Sequence, residues 1–184
     1  MKGLMILANG FEDTEALATH DILKRSMLNV DLVTINETKE VVSQYNLHIK
    51  LEKMLKDVKY QEYDFLVIPG GGAVGRVLQG KVEIKEVIAY FVKENKLVAT
   101  ICAAPSLLAD EGYFLNEKFT CFPGCEINSK GGKYLPNKGV ITSNHFITAK
   151  SMAHSLEFGL EIIQYLQGKD QMTKIKKAIF GEKQ

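Results

Sequence analysis

Short, unbroken apolar runs separated by helix-period stretches constrain this chain more than any single residue does. Residues 3–8, 30–35, 64–68 and 97–102 are each about one strand long and apolar almost throughout. Strands with one wet face alternate apolar and polar side chains, whereas continuous runs belong to strands covered on both faces, as in a parallel sheet enclosed by helices. Between the runs, residues 12–27 and 82–94 carry apolar positions at helical spacing, and 151–166 predicts a long helix near the end. Residues 40–51 predict a short hairpin, 139–143 and 146–149 two later strands, and the Lys-rich segment 174–180 a terminal amphipathic helix with a solvated face. The alternation of strand and helix predicts an α/β fold, a flavodoxin-like three-layer sandwich with a mainly parallel central sheet.

The chain has 184 residues, 46% apolar and 24% charged, which is enough for a sizeable core and predicts one domain over 1–184. Net charge is +1 with the basic residues spread along the chain, so no electrostatic footprint for nucleic acid or an acidic membrane is expected. No apolar run approaches a membrane span, and the first strand leads into Asn9-Gly10-Phe11-Glu12-Asp13 rather than a cleavage site, which predicts a cytoplasmic protein. Three cysteines without a secretory signal predict free thiols. Cys121 and Cys125 are four apart, and no nearby His or Cys pair completes a zinc set, so no metal is expected.

Cys102 ends its apolar run and is followed by Ala103-Ala104-Pro105-Ser106, a strand-to-helix turn. The backbone N–H groups and helix dipole after such a turn are expected to favour the thiolate, the nucleophilic form. A lone Cys in an apolar run otherwise packs as a small hydrophobe. In open α/β sheets ligands collect beyond the carboxyl ends of the strands, and three segments end there. The stretch from Asn9 to Glu15 follows the first strand, Pro69-Gly70-Gly71-Gly72 the third, and the Cys102 turn the fourth. Together they offer an acid, closely approaching amides and a nucleophile, the parts needed for attack on a carbonyl. The glycine loop lacks the P-loop Lys-Ser/Thr and the Gly-x-Gly-x-x-Gly spacing, so no nucleotide or other cofactor is expected.

These residues resemble a known family. Asn9-Gly10-Phe11-Glu12-Asp13-Thr14-Glu15, Val67-Ile68-Pro69-Gly70-Gly71 and Ala99-Thr100-Ile101-Cys102-Ala103-Ala104-Pro105 are similar to the three motifs of the ThiJ/PfpI family, in the branch of the Parkinsonism-associated deglycase. The likeness continues through Gly131-Gly132-Lys133-Tyr134 and Leu156-Glu157-Phe158-Gly159-Leu160. It implies a sandwich of the class I glutamine amidotransferase-like type, a homodimer, and a reactive Cys102 paired with a protonated Glu15. A carboxylic acid donates to a sulfur only if desolvation or a neighbouring anion raises its pKa. The resemblance also implies an oxyanion site made by backbone N–H groups of Gly70, Gly71 and Ala103. Accessory roles fall to Glu12, to Arg25 near the dimer interface as an ion-pair partner of Glu12, and to His154 at the start of the last long helix. Asp13 is expected to be a solvated first-turn acid.

Two departures narrow the reading. Ala103 stands where protease-like branches place a His, so peptidase activity is not expected; Phe122 precedes Pro123 where the deglycase branch commonly has a His. His20 and His48 read as surface or interface groups and His145 as a turn residue between two strands. The expected function is a cofactor-free glyoxalase or deglycase acting on small reactive aldehydes or their glycated adducts. The alternative is a non-enzymatic oxidative-stress sensor or chaperone whose Cys102 is oxidised to sulfinic acid.

Overall fold

The apolar runs form the strands they predict. The computed structural model describes residues 1–182. In chain order the strands are β1 Lys2–Leu7, β2 Asn29–Thr34, β3 Glu40–Val42, β4 His48–Lys50, β5 Lys53–Met54, β6 Phe65–Ile68, β7 Leu97–Ile101, β8 Lys118–Phe119, β9 Lys133–Tyr134, β10 Val140–Ser143 and β11 Phe146–Ala149. The helices are α1 Asp13–Arg25, α2 Val82–Lys93, α3 Pro105–Asp110, α4 Ser155–Gln167 and α5 Lys169–Ile179. Seven strands make one sheet in the order β10-β11-β7-β6-β1-β2-β5. All its pairings are parallel except β10 with β11, a hairpin turned at Asn144 and His145. The flavodoxin-like α/β architecture read from the sequence is therefore the architecture of the molecule, with helices flanking a mostly parallel sheet.

Central strands are the most apolar because both faces are covered: every residue of β6, β7 and β11 is buried. Helix α4 packs on α1 and α5, and α1 and α4 also pack on the sheet, while α2 packs separately on β6 and β7. Gly3 and Phe65 are register partners, and an added Cβ at Gly3 would fall on the Phe65 ring, so the glycine makes room for the aromatic beside it.

Three boundaries differ from expectation. Helix α1 stops at Arg25 because Met27 takes a left-handed backbone, φ +66°. The last long helix begins at Ser155 rather than 151, since Ser151 is extended and Met152–His154 forms a tighter turn before it. The terminal helix is longer than predicted and starts directly after Gly168, where α4 ends. Strands β5, β8 and β9, two residues each, carry too little pattern to be read from sequence. Among the described residues no helix is long and apolar enough to cross a membrane.

Candidate functional site

The carboxyl ends of β1, β6 and β7 deliver three loops to one place. β7 runs straight into Cys102, whose backbone is left-handed at φ +63°, a conformation uncommon for a residue with a side chain and held only when its surroundings fix it. They do so from both sides. The Cys102 N–H donates to the Ala149 carbonyl at 2.9 Å, continuing the β7–β11 pairing, and its carbonyl accepts from Phe122 N–H at 2.8 Å. The turn leaves the thiol half-buried.

Glu15 stands in the first turn of α1 and is 1% exposed. Its position is set by the residue that starts the helix: the Glu12 carboxylate accepts from Glu15 N–H at 2.7 Å, capping α1. Glu15 Oε2 accepts from Gly70 N–H at 2.8 Å, while Oε1 is buried without a donor and the carboxyl faces the Cys102 thiol.

The glycine loop is sewn to the first loop. Glu12 N–H donates to Gly70 O, Ala73 N–H donates to Gly10 O at 2.9 Å, and Phe11 bridges Gly71. A Cβ on Gly70 would lie 2.7 Å from both Cys102 Cβ and Glu15 Oε2; one on Gly71, at φ +87°, would lie 2.5 Å from Glu12 N. A side chain at Gly70 would push the acid and the nucleophile apart, and one at Gly71 would push the glycine loop off the first loop.

Burial governs the electrostatics. Loss of water raises Glu15 to about 7, helped by the neighbouring Glu12 and opposed by the bonds from Cys102 and Gly70. Burial also pushes Cys102 up to about 12, reinforced by the charge of Glu15 and by its hydrogen bond with that carboxyl, while the Gly71 and Ala103 N–H groups pull the other way. Within the pair Glu15 gives up its proton first, near 7, and the Cys102 thiol keeps its own up to about 12. The turn therefore does not activate the thiol by itself, contrary to the sequence expectation. Helix α3 has only six residues and begins at Pro105, so its dipole is too small to outweigh desolvation.

The structure thus brings Cys102, Glu15, Gly70, Gly71 and Ala103 together, and it corrects several roles. The Gly70 amide is already committed to Glu15, leaving the Gly71 and Ala103 amides at the sulfur. Glu12 does not pair with Arg25: Glu12 caps the start of α1, whereas Arg25 at its far end binds Asp21 at 2.6 Å in an exposed i,i+4 pair. His154 lies against Gly139 and 3.4 Å from Glu157, a placement set by the turn that precedes α4. Asp13 is not solvated; one oxygen accepts from Ser43 Oγ at 2.6 Å and the other is buried.

Sequence reasoning missed the contribution of the hairpin β3–β4. Its turn supplies Ser43 to Asp13 and Gln44, whose side-chain oxygen accepts from Gly72 N–H at 2.9 Å. No local pattern marks these residues, because their partners lie some thirty positions away in the chain. Cys121 is fully buried, with its thiol 3.9 Å from Glu126, and burial with nearby Cys125 and Glu126 pushes it up to about 12. Among the described residues no cluster of His, Cys, Asp and Glu is placed to hold a metal. One cleft, of about 330 Å3, lies between the ends of β2 and β5 and helix α2, away from the thiol.

The fold is shared with known proteins. The DJ-1/PfpI family profile matches residues 1–165. The chain is 32% identical to the glutathione-independent glyoxalase DJR-1.2 of Caenorhabditis elegans over 170 residues, covering 91% of this chain and 89% of that one. It is 27% identical to protein DJ-1 homolog B of Arabidopsis thaliana over 95% of this chain, and spans 40% of that longer protein. Among solved structures, oxidized DJ-1 of Toxoplasma gondii superposes with a TM-score of 0.88 at 26% identity, covering 100% of this chain and 99% of the other.

Proposed function

Because this chain belongs to the DJ-1/PfpI family, we propose that it is a cofactor-independent protective enzyme that converts small α-oxoaldehydes such as methylglyoxal to hydroxy acids. Cys102 is its nucleophile and Glu15 its proton carrier. The observation that carries the reading is the buried carboxyl of Glu15 held against a strained, half-exposed thiol with two backbone N–H groups at the sulfur. The relative in Caenorhabditis elegans that is named a glyoxalase supports the choice of substrate class.

The chemistry follows from proton transfer within the pair. Once Glu15 is ionised, transfer of the Cys102 proton to its carboxylate gives the reactive form, a protonated acid beside an anionic sulfur. The sulfur attacks the aldehyde carbon, a C–S bond forms, and the carbonyl oxygen takes the Glu15 proton to give a hemithioacetal. The Glu15 carboxylate then removes the proton on that carbon, producing an enediolate, and returns it to the adjacent carbon, while the hydroxyl proton of the first carbon passes to the oxygen of the second. The product is a thioester of the 2-hydroxy acid. Water breaks the C–S bond, releasing the acid and restoring the thiol, so methylglyoxal plus water becomes lactic acid. The Gly71 and Ala103 amides stabilise the oxyanion of the addition and hydrolysis steps. Early adducts of these aldehydes with amines or thiols would enter the same path once the amine or thiol leaves and the aldehyde carbonyl is restored.

Lactate formation from methylglyoxal, with buffer-catalysed loss subtracted, tests the assignment. The wild type is expected to turn over and Cys102→Ser to fall to background; equal rates would overturn it. The same half-exposed sulfur between two amides also suits a second reading, as an oxidation sensor. Two equivalents of peroxide would convert the thiol to sulfinic acid with release of two waters, and the added oxygens would accept from those amides. Intact mass after graded peroxide, with no aldehyde turnover, is the result that favours it.

A further inference from the structure

We propose that Arg76 recognises an anionic group on the substrate, so that α-oxoaldehydes bearing a carboxylate are preferred over neutral ones. The inference deepens the enzymatic reading above and rests on it. Arg76 is one of two arginines in the chain and lies four residues beyond Gly72, in the helical turn Val74–Leu78. Its guanidinium rests against Gly10 of the first loop and Gly72 of the glycine loop, where an added Cβ at either position would collide with it. Two glycines, one from each loop of the site, thus form its bed.

The second arginine shows what an ordinary surface guanidinium does here: Arg25 is paired with Asp21. Arg76 has no ion pair and no side-chain hydrogen bond among the described residues. The nearest acids of the first loop are engaged elsewhere, Glu12 with the Glu15 N–H and Asp13 with Ser43. The result is an exposed, planar fork of donors with its charge uncommitted, beside the amides that face the sulfur. The Gly71 N–H is at the sulfur and the guanidinium lies against Gly72, the next residue, so the two groups are at most on the order of 10 Å apart at about 3.8 Å per Cα step. A five-carbon oxoaldehyde with a terminal carboxylate spans roughly 6 Å at about 1.5 Å per bond, which fills that gap once contact distances are added at each end.

The test compares 4,5-dioxopentanoate, an α-oxoaldehyde with such a carboxylate, with methylglyoxal in the wild type, Arg76→Met and Arg76→Lys. Arg76→Met is expected to lose about tenfold or more in kcat/KM on 4,5-dioxopentanoate, the size of one lost charged hydrogen bond, and little on methylglyoxal. Arg76→Lys should retain part of the preference. Equal losses on both substrates, or none on either, would overturn the role of Arg76 while leaving the enzymatic reading intact. A readout without turnover separates the two ideas: the rate of Cys102 alkylation by iodoacetate relative to neutral iodoacetamide. That ratio should fall several-fold in Arg76→Met, consistent with loss of a single charged contact. An unchanged ratio counts against Arg76 even if the protein turns over neither aldehyde, in which case the enzymatic reading also fails.

Discussion

A carboxyl group and a thiol pressed together out of water cannot both ionise cheaply, and the consequences of that conflict are measurable at Glu15. In the unfolded chain it titrates near 4.5; in the folded protein it holds its proton to about 7. A raised carboxyl pKa means the folded state binds the proton more tightly. The associated stability is fully present below 4.5, declines as pH rises and is gone above 7. The difference corresponds to about 3 kcal/mol. Glu15→Gln, which keeps the shape and has no charge to bury, should match the wild type at pH 4 and exceed it by up to about that amount at pH 8. Urea denaturation at the two pH values reads the difference; parallel pH profiles for the two proteins would show that Glu15 is not desolvated. The same variant is expected to lose turnover, because the amide cannot carry the proton.

At the scale of elements, the position of Glu15 depends on how α1 begins. Glu12 is buried and satisfies the Glu15 N–H, so one residue both caps the helix and anchors the backbone of the acid. Glu12→Ala is expected to cost about 1 kcal/mol of stability and to slow aldehyde turnover, with Glu12→Gln retaining most of both, since an amide oxygen still accepts. Thermal melts and lactate assays on both variants check this, and a loss in Glu12→Gln equal to that in Glu12→Ala would make the charge, not the cap, the important property. Strand β7 and helix α3 meet the same demand differently. Their junction has no side-chain cap, and the left-handed Cys102 is held by Ala149 and Phe122 instead.

At the scale of the whole molecule the expected assembly is a homodimer. Leu17 is exposed on α1 although that helix packs against α4. We propose that a second copy covers the side of α1 that carries Leu17, since closed twofold pairing is the commonest assembly of soluble chains. Sedimentation equilibrium at micromolar concentration should give the dimer mass for the wild type and a shift toward monomer for Leu17→Glu. A wild-type monomer across that range would reject the pairing.

Features that depend on local pattern were legible in the chain. Continuous apolar runs of strand length bounded by turn residues suit strands covered on both faces, so the parallel sheet, its flanking helices and the loops gathered at its carboxyl end followed from residues such as 64–68 and 97–102. The position of Cys102 at a strand-to-helix turn was legible for the same reason, and so was the proximity of Glu15 once the motifs were compared with a family. How each polar group is used depends instead on packing between distant segments. That the Gly70 amide serves Glu15, that Glu12 caps α1 instead of pairing with Arg25, that Ser43 meets Asp13, and that Arg76 rests on two glycines are contacts between distant segments. The direction of the Cys102 titration was decided there too. Desolvation depends on everything packed around a group, whereas a short helix dipole is a property of the adjacent residues alone, and in this site the surroundings outweigh the neighbour.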